Sequence, residues 1–146
     1  MTKPKMVKGP RFWKFAAAAW ALVIFGLSSI PGAAFPASKL FSNDKLLHAG
    51  VYAVLGALCW MALPHRWSKK KSALVVIAGA MVTLYGFTDE FHQLFVPGRS
   101  SDLRDVLADC VGGFAGAAMM SLMPFGRAIG SAAAAVEPVA KSERLS

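Results

Sequence analysis

Four long apolar runs dominate this chain, and they restrict what it can fold into. The first spans Phe12 to Ile30 and breaks at Pro31-Gly32. The second spans Leu46 to Leu63 and stops at Pro64. The third spans Ala73 to about Phe87 and continues, more polar, to Val96. The fourth spans about Leu103 to Met123 and stops at Pro124. Each is roughly 15–21 residues, against the ~20 that a helix needs to cross ~30 Å of hydrocarbon at 1.5 Å per residue. None alternates with period two, which argues against a membrane barrel. Hydrocarbon offers backbone polar groups no water, so the runs are expected to be helices. The expected fold is all-α, a four-helix transmembrane bundle.

Composition supports this. The chain is 55% hydrophobic and 16% charged over 146 residues, where a soluble domain carries about 25% charge. The same values exclude a disordered chain. Net charge is +8, but the basic residues flank the apolar runs instead of forming a nucleic-acid patch, so no nucleic acid is expected as a partner. The N-terminal stretch, the loop holding Arg66, Lys69, Lys70 and Lys71, and the C-terminal tail together hold 12 Lys/Arg, and the alternate side holds 4. The positive-inside rule then places both termini in the cytoplasm, with the first and third loops outside the cytoplasmic membrane. Residues 1–11 read as a basic cytoplasmic N-terminus, 12–124 as the membrane domain and 125–146 as a disordered cytoplasmic tail. The basic start and Gly32-Ala33-Ala34 also fit a signal peptide. The first run is longer than the usual h-region of about 7–15 residues and carries Trp13 and Trp20, so a retained helix is expected.

Polar residues cluster at one end of this layout. Six of the eight acidic residues (Asp44, Asp89, Glu90, Asp102, Asp105 and Asp109) fall at the outer ends of helices two, three and four. Lys45, His48, His92, Gln93, Arg99 and Arg104 join them. Ser42 or Asn43 is suited to cap helix two, and Ser101 or Asp102 to cap helix four. Asp44, His48 and Tyr52 share one helix face at i, i+4 spacing. Asp89 and Gln93 share another, with Glu90 about 100° around. On helix four, Asp102, Asp105, Asp109, Gly112, Gly113 and Gly116 line one face. Gly112 and Gly116 form a GxxxG that admits a close neighbour, so this face should point inward and carry its carboxylates with it.

Ionised groups at membrane depth cost roughly 2.5–3.5 kcal/mol each at mid-helix, less near the interface, and they tend to face partners or a wet cavity. An Arg99–carboxylate contact is expected, because a guanidinium can bind a carboxylate bidentately. The expected ligand-binding set is Asp44, Lys45, His48, Asp89, Glu90, Gln93, Arg99 and Asp105. For Asp44 and Asp102, capping alone is an equal reading. A polar lock joining the helices competes with a working site for the whole cluster.

No cofactor motif is present. Cys59 and Cys110 lie inside apolar runs with no metal or disulfide spacing. His48, His92, Asp89 and Glu90 hold metal-ligating atoms but show no HExxH-type spacing, so no metal is expected. The expected surroundings are the lipid bilayer, with an envelope ligand or a membrane-protein partner. Four short helices barely enclose a pocket, which leaves room for a homodimer.

Several blocks resemble the VanZ-like family of small membrane proteins. They are Ile24-Phe25-Gly26-Leu27-Ser28-Ser29-Ile30-Pro31-Gly32, then Asp44-Lys45-Leu46-Leu47-His48 with Tyr52 and Gly56. Next come Asp89-Glu90-Phe91-His92-Gln93-Leu94-Phe95-Val96-Pro97-Gly98-Arg99, and Asp105-Val106-Leu107-Ala108 with its following glycines. The chain departs from the family pattern at Asp109, where the resemblance implies Asn. The founding member is associated with low-level teicoplanin resistance, so the resemblance implies a role in the cell envelope or in glycopeptide response.

Two readings of function stay open. One is binding of an envelope component in an outward polar pocket. The other is an outer-leaflet hydrolase or transferase acting on a lipid-linked or phosphate substrate. In the latter, His48, Asp89, Glu90 and Asp105 would be the catalytic candidates and Arg99 the anion holder. Ion transport is disfavoured, since the inner halves of the helices carry no polar path.

Overall fold

The computed structural model describes residues 10–32, 44–64 and 70–123. The expected caps Ser42 and Asn43, most of the N-terminal stretch and the tail lie outside the described residues. Four helices follow in order: α1 (Pro10–Ser28), α2 (Asp44–Ala62), α3 (Lys71–Gln93) and α4 (Leu103–Leu122). Among the described residues there is no strand, and all four helices are long and apolar enough to cross a membrane. The chain is an all-α, multi-pass membrane protein.

The distribution of apolar side chains is that of a bundle in lipid. Among the described residues twenty-two large hydrophobic side chains are exposed, including Phe15, Leu22, Val76, Leu84, Phe91, Val111 and Leu122. A soluble monomer does not expose so much contiguous apolar surface. Inside lies a thin core in which Trp60, Tyr52, Leu74 and Val82 are the bulkiest apolar or aromatic members.

The helix ends follow local chemistry. Pro10 begins α1, where its missing N–H costs nothing and its fixed φ suits a helix. Pro31 cannot continue the helix, and α1 stops three residues before it. α3 runs through its polar extension to Gln93 and exits by a tight turn. In that turn Phe95 N donates to His92 O and Val96 N to Gln93 O. Gly98 has φ 72, which only a residue without Cβ adopts easily. Asp102 caps α4 by accepting from Arg104 N.

α2 and α4 run parallel and form the closest pair. A Cβ at Gly112 would collide with the carbonyl of Ala49, and one at Gly116 with that of Ala53. The small-residue face of α4 is therefore spent on backbone approach, as the GxxxG reading expected. α3 packs on α4, and α1 joins through two partly buried polar tips. Trp20 Nε1 donates to Val51 O at 2.9 Å, and Tyr85 Oη donates to Ala21 O at 2.6 Å. This up-and-down arrangement brings the C-termini of α1 and α3 and the N-termini of α2 and α4 to one end of the bundle.

Candidate functional site

That end is where the polar residues meet. The α2–α4 register set by the glycines also sets the ion pairs. Lys45 Nζ lies 3.0 Å from Asp105 Oδ1 and 3.4 Å from Asp102 Oδ2. About one turn deeper, His48 Nδ1 donates to Asp109 Oδ1 at 2.9 Å. Asp109 is 0% exposed, and its Oδ2 has no hydrogen-bond partner. A Cβ on Gly86 of α3 would come within 2.8 Å of that oxygen, so the glycine makes room for the carboxylate.

α3 contributes two buried acids that point different ways, as the 100° helical step requires. Asp89 faces α1, where Ser28 Oγ lies 2.6 Å from Oδ1. Ser28 Oγ also lies 3.0 Å from Phe25 O. A hydroxyl has one proton, and the shorter contact to a carboxylate takes it. Glu90 faces the start of α4, where Oε2 accepts from Asp102 N at 2.9 Å. Gln93 ties the two acids together: Nε2 lies 3.2 Å from Asp89 Oδ2 and 2.9 Å from Glu90 Oε1. An amide nitrogen carries two protons, one for each acid.

The remaining groups lace the α1 exit to the α3–α4 turn. Arg99 Nε donates to Ile30 O and Nη2 to Leu27 O, each at 3.2 Å. A cation on the last carbonyls of a helix is favourable, because those groups carry the negative end of its dipole. Gly32 N donates to Pro97 O at 3.1 Å. His92 stands on the far side of α3, tilted against Phe25 with ring centroids 4.5 Å apart. Ser29 gives its proton to Phe25 O at 2.6 Å, so His92 Nε2 is the donor in the 3.0 Å contact with Ser29 Oγ.

These groups surround a recess of about 460 Å³. One wall is apolar, from Ile24, Leu27, Leu47 and Val51. The rest is polar and includes Lys45, His48, Asp89, Gln93, Arg99, Asp102 and Asp105. Tyr52 also lines it, stacked under His48 with ring centroids 6.2 Å apart. Its hydroxyl is buried and makes no hydrogen bond of normal geometry. At the rim, Asp102 titrates below the usual carboxylate range, first because Arg104 N bonds its carboxylate and then because Lys45 is near.

Of the eight expected ligand-binding residues, six line the recess: Lys45, His48, Asp89, Gln93, Arg99 and Asp105. Glu90 is buried beside it, hydrogen-bonded to Gln93 and to Asp102 N. Asp44 opens α2, and its side chain lies outside what the structure describes. His92, weighed as a metal ligand, faces α1 instead. Asp109, expected on the inward face of α4, proves to be the partner of His48, and Ser28, the partner of Asp89, is a contributor the spacing did not single out. Serine near the end of an otherwise apolar helix, at the depth of a buried acid on another, was the available signal for Ser28.

The VanZ/LLP1 family model matches residues 11–124. No curated protein and no solved structure matches the chain.

Proposed function

The chain belongs to the VanZ/LLP1 family, and from that premise we propose that its recess binds the polar headgroup of a lipid-linked cell-envelope component at the outer face of the cytoplasmic membrane. The observation that carries this is the character of the recess. A polar floor and an apolar wall enclose about 460 Å³ at the end of a membrane bundle. Such a surface suits an amphipathic ligand, with its headgroup among charges and its chain against aliphatic side chains. Lys45 and Arg99 supply donors for a phosphate or carboxylate, and Asp89 and Asp105 supply acceptors for hydroxyl or amine groups. The buried Tyr52 hydroxyl adds a polar atom with unspent hydrogen-bonding capacity. The 12-to-4 distribution of basic residues supports this orientation, with both termini in the cytoplasm. On this reading the protein contributes to envelope maintenance and glycopeptide response.

The test is ligand retention. Protein is extracted from membranes in a mild detergent, and co-purifying lipids are identified by native mass spectrometry. The expected result is a lipid-linked phosphate species retained by the unchanged chain and lost from Lys45→Ala and Lys45→Glu variants of normal abundance. Glycopeptide sensitivity of cells carrying these variants should change in parallel. No retained species, or equal retention by the variants, contradicts the proposal.

One observation favours the hydrolase or transferase reading as an alternative. His48 is held at Nδ1 by a fully buried aspartate, the arrangement that orients a general base. Turnover of a lipid-linked phosphate by purified protein, lost in His48→Ala, would favour it over binding alone.

A further inference from the structure

The spacing of residues along the chain gave no reason to expect a metal, because metal motifs are recognised within one segment. The fold brings together ligands from three. One ligating atom each from His48 of α2, Glu90 of α3 and Asp105 of α4 lie within 4.8 Å of one another. Glu90 is 3% and Asp105 6% exposed.

We propose that His48, Glu90 and Asp105 hold a divalent cation of the Zn²⁺ or Mn²⁺ class in the recess. Three features of the structure support this beyond the grouping of acids. First, His48 already makes the hydrogen bond to a carboxylate that metal-ligating imidazoles nearly always make through their other ring nitrogen. Asp109, fully buried, accepts from Nδ1 at 2.9 Å and fixes the tautomer, so that Nε2 is the nitrogen that would ligate. Second, Tyr52 is completely buried, lines the same recess and carries a hydroxyl that makes no hydrogen bond of normal geometry, with the Asp89 carboxylate nearby. A buried hydroxyl of this kind marks a place for a polar occupant, such as the water shell of a cation. Third, the charges are unequal. Among the described residues, Asp89, Glu90, Asp102, Asp105 and Asp109 converge at this end of the bundle. Asp89, Asp102 and Asp105 line the recess together with Lys45 and Arg99, and Arg104 acts on Asp102 at the same end, so five carboxylates stand against three permanent cations among the described residues. Arg99 spends Nε and Nη2 on carbonyls of α1. A divalent ion would offset the excess negative charge where solvent screening is weak.

One imidazole with two carboxylates is a mixed set. It suits Zn²⁺ and Mn²⁺ better than Ca²⁺, which favours all-oxygen shells, or Cu⁺, which favours thiolates. The cation shares the recess with the proposed headgroup but does not depend on it, since uptake is measured with no lipid ligand present. Were both bound, the ion would bridge the carboxylates to a phosphate. Were only the ion bound, the envelope-ligand reading would fail separately.

The experiment uses the full chain in detergent, stripped with a chelator and titrated with ZnCl₂ or MnCl₂ by calorimetry. Metal content is then read by elemental analysis after gel filtration. The expected result is stoichiometric uptake with a raised Tm. Glu90→Gln and Asp105→Asn should each weaken binding at least tenfold, and Asp109→Asn, which positions His48, by about 10–100-fold. Asp102→Asn removes a charge from the same rim and keeps an N-cap, so it should bind within about threefold of the unchanged chain. A loss in Asp102→Asn equal to that in Asp105→Asn would mean a diffuse acidic patch and overturn the proposal. So would the absence of uptake by the unchanged chain. A check that needs no variant is pulsed EPR of Mn²⁺-loaded protein. Coupling to an imidazole nitrogen is expected, and an all-oxygen spectrum contradicts the site.

Discussion

Replacing Gln93 by leucine removes both donors that join Asp89 to Glu90 while keeping a side chain of similar bulk. In the native protein the two contacts measure 3.2 and 2.9 Å, and all three side chains are buried. A hydrogen bond to a charged group contributes about 1.5–3 kcal/mol, so two contribute about 3–6. Polar pairs inside membrane bundles average only ~0.6 kcal/mol in double-mutant cycles, which sets a floor near 1.2. A value well above this floor is favoured here, because the variant leaves Asp89 with Ser28 and Glu90 with Asp102 N and strips each acid of its amide. The expected loss is about 3 kcal/mol, a large share of the ~5–15 kcal/mol that holds a domain together. The assay is equilibrium unfolding in mixed micelles, run as a cycle of Gln93→Leu, Asp89→Asn and the double variant. The leucine should cost measurably less when position 89 is already neutral, since the stranded charge is gone. A cost under ~0.5 kcal/mol, or strict additivity in the cycle, would refute the bridging role of Gln93.

The glycines allow a paired test of the helix register. Gly116→Leu drives a side chain into the Ala53 backbone and should lower stability by about 1–3 kcal/mol or more. Gly26→Ala meets nothing within 4 Å and should be neutral or stabilising by up to about 1 kcal/mol. Both are read by thermal melting of purified protein. Ser28→Ala strands one oxygen of Asp89 and should cost roughly 1.5–3 kcal/mol, with Ser28→Thr restoring part of it, again by unfolding in micelles. Asp102 has a folded-state pKa below its unfolded value, so its capping contribution is complete above the unfolded pKa of about 3.9. It fades as pH falls through the lower folded value. An NMR titration of its side-chain carboxyl should show a midpoint below that of a free aspartate, and Arg104→Pro, which deletes the donated N–H, should raise it.

Much of the bundle was legible because hydropathy and helix length are local properties. Four runs of near-membrane length gave four helices, and proline and glycine marked where they end. The polar residues expected to extend two of these runs do so. α2 begins at Asp44, before its apolar run at Leu46, and α3 carries its acids to Gln93. Faces within one helix were legible too, since i, i+4 spacing put Asp105 and Asp109 on the small-residue side of α4. What spacing does not encode is the rotation and depth of one helix against another. That choice is made by Gly112 and Gly116 seating on Ala49 and Ala53, and it pairs Lys45 with Asp105 and His48 with Asp109. Arg99 was expected on a carboxylate. Its Nε and Nη2 serve carbonyls of α1, because the Pro97-Gly98 turn holds the side chain beside that helix end. The three-helix cluster of His48, Glu90 and Asp105 was hidden for the same reason.

The recess can serve an envelope ligand only if it opens away from the cytoplasm, and cysteine accessibility measures that directly. Ser100 lies exposed on its rim, and Ser72 lies exposed at the opposite end of the bundle. With Cys59 and Cys110 changed to alanine, Ser100→Cys and Ser72→Cys are each treated with a membrane-impermeant maleimide on intact cells. Labelling at position 100 before permeabilisation, and at position 72 only after it, is the expected result. The reverse pattern would put the carboxylates, His48 and Arg99 on the cytoplasmic side and contradict the proposed function.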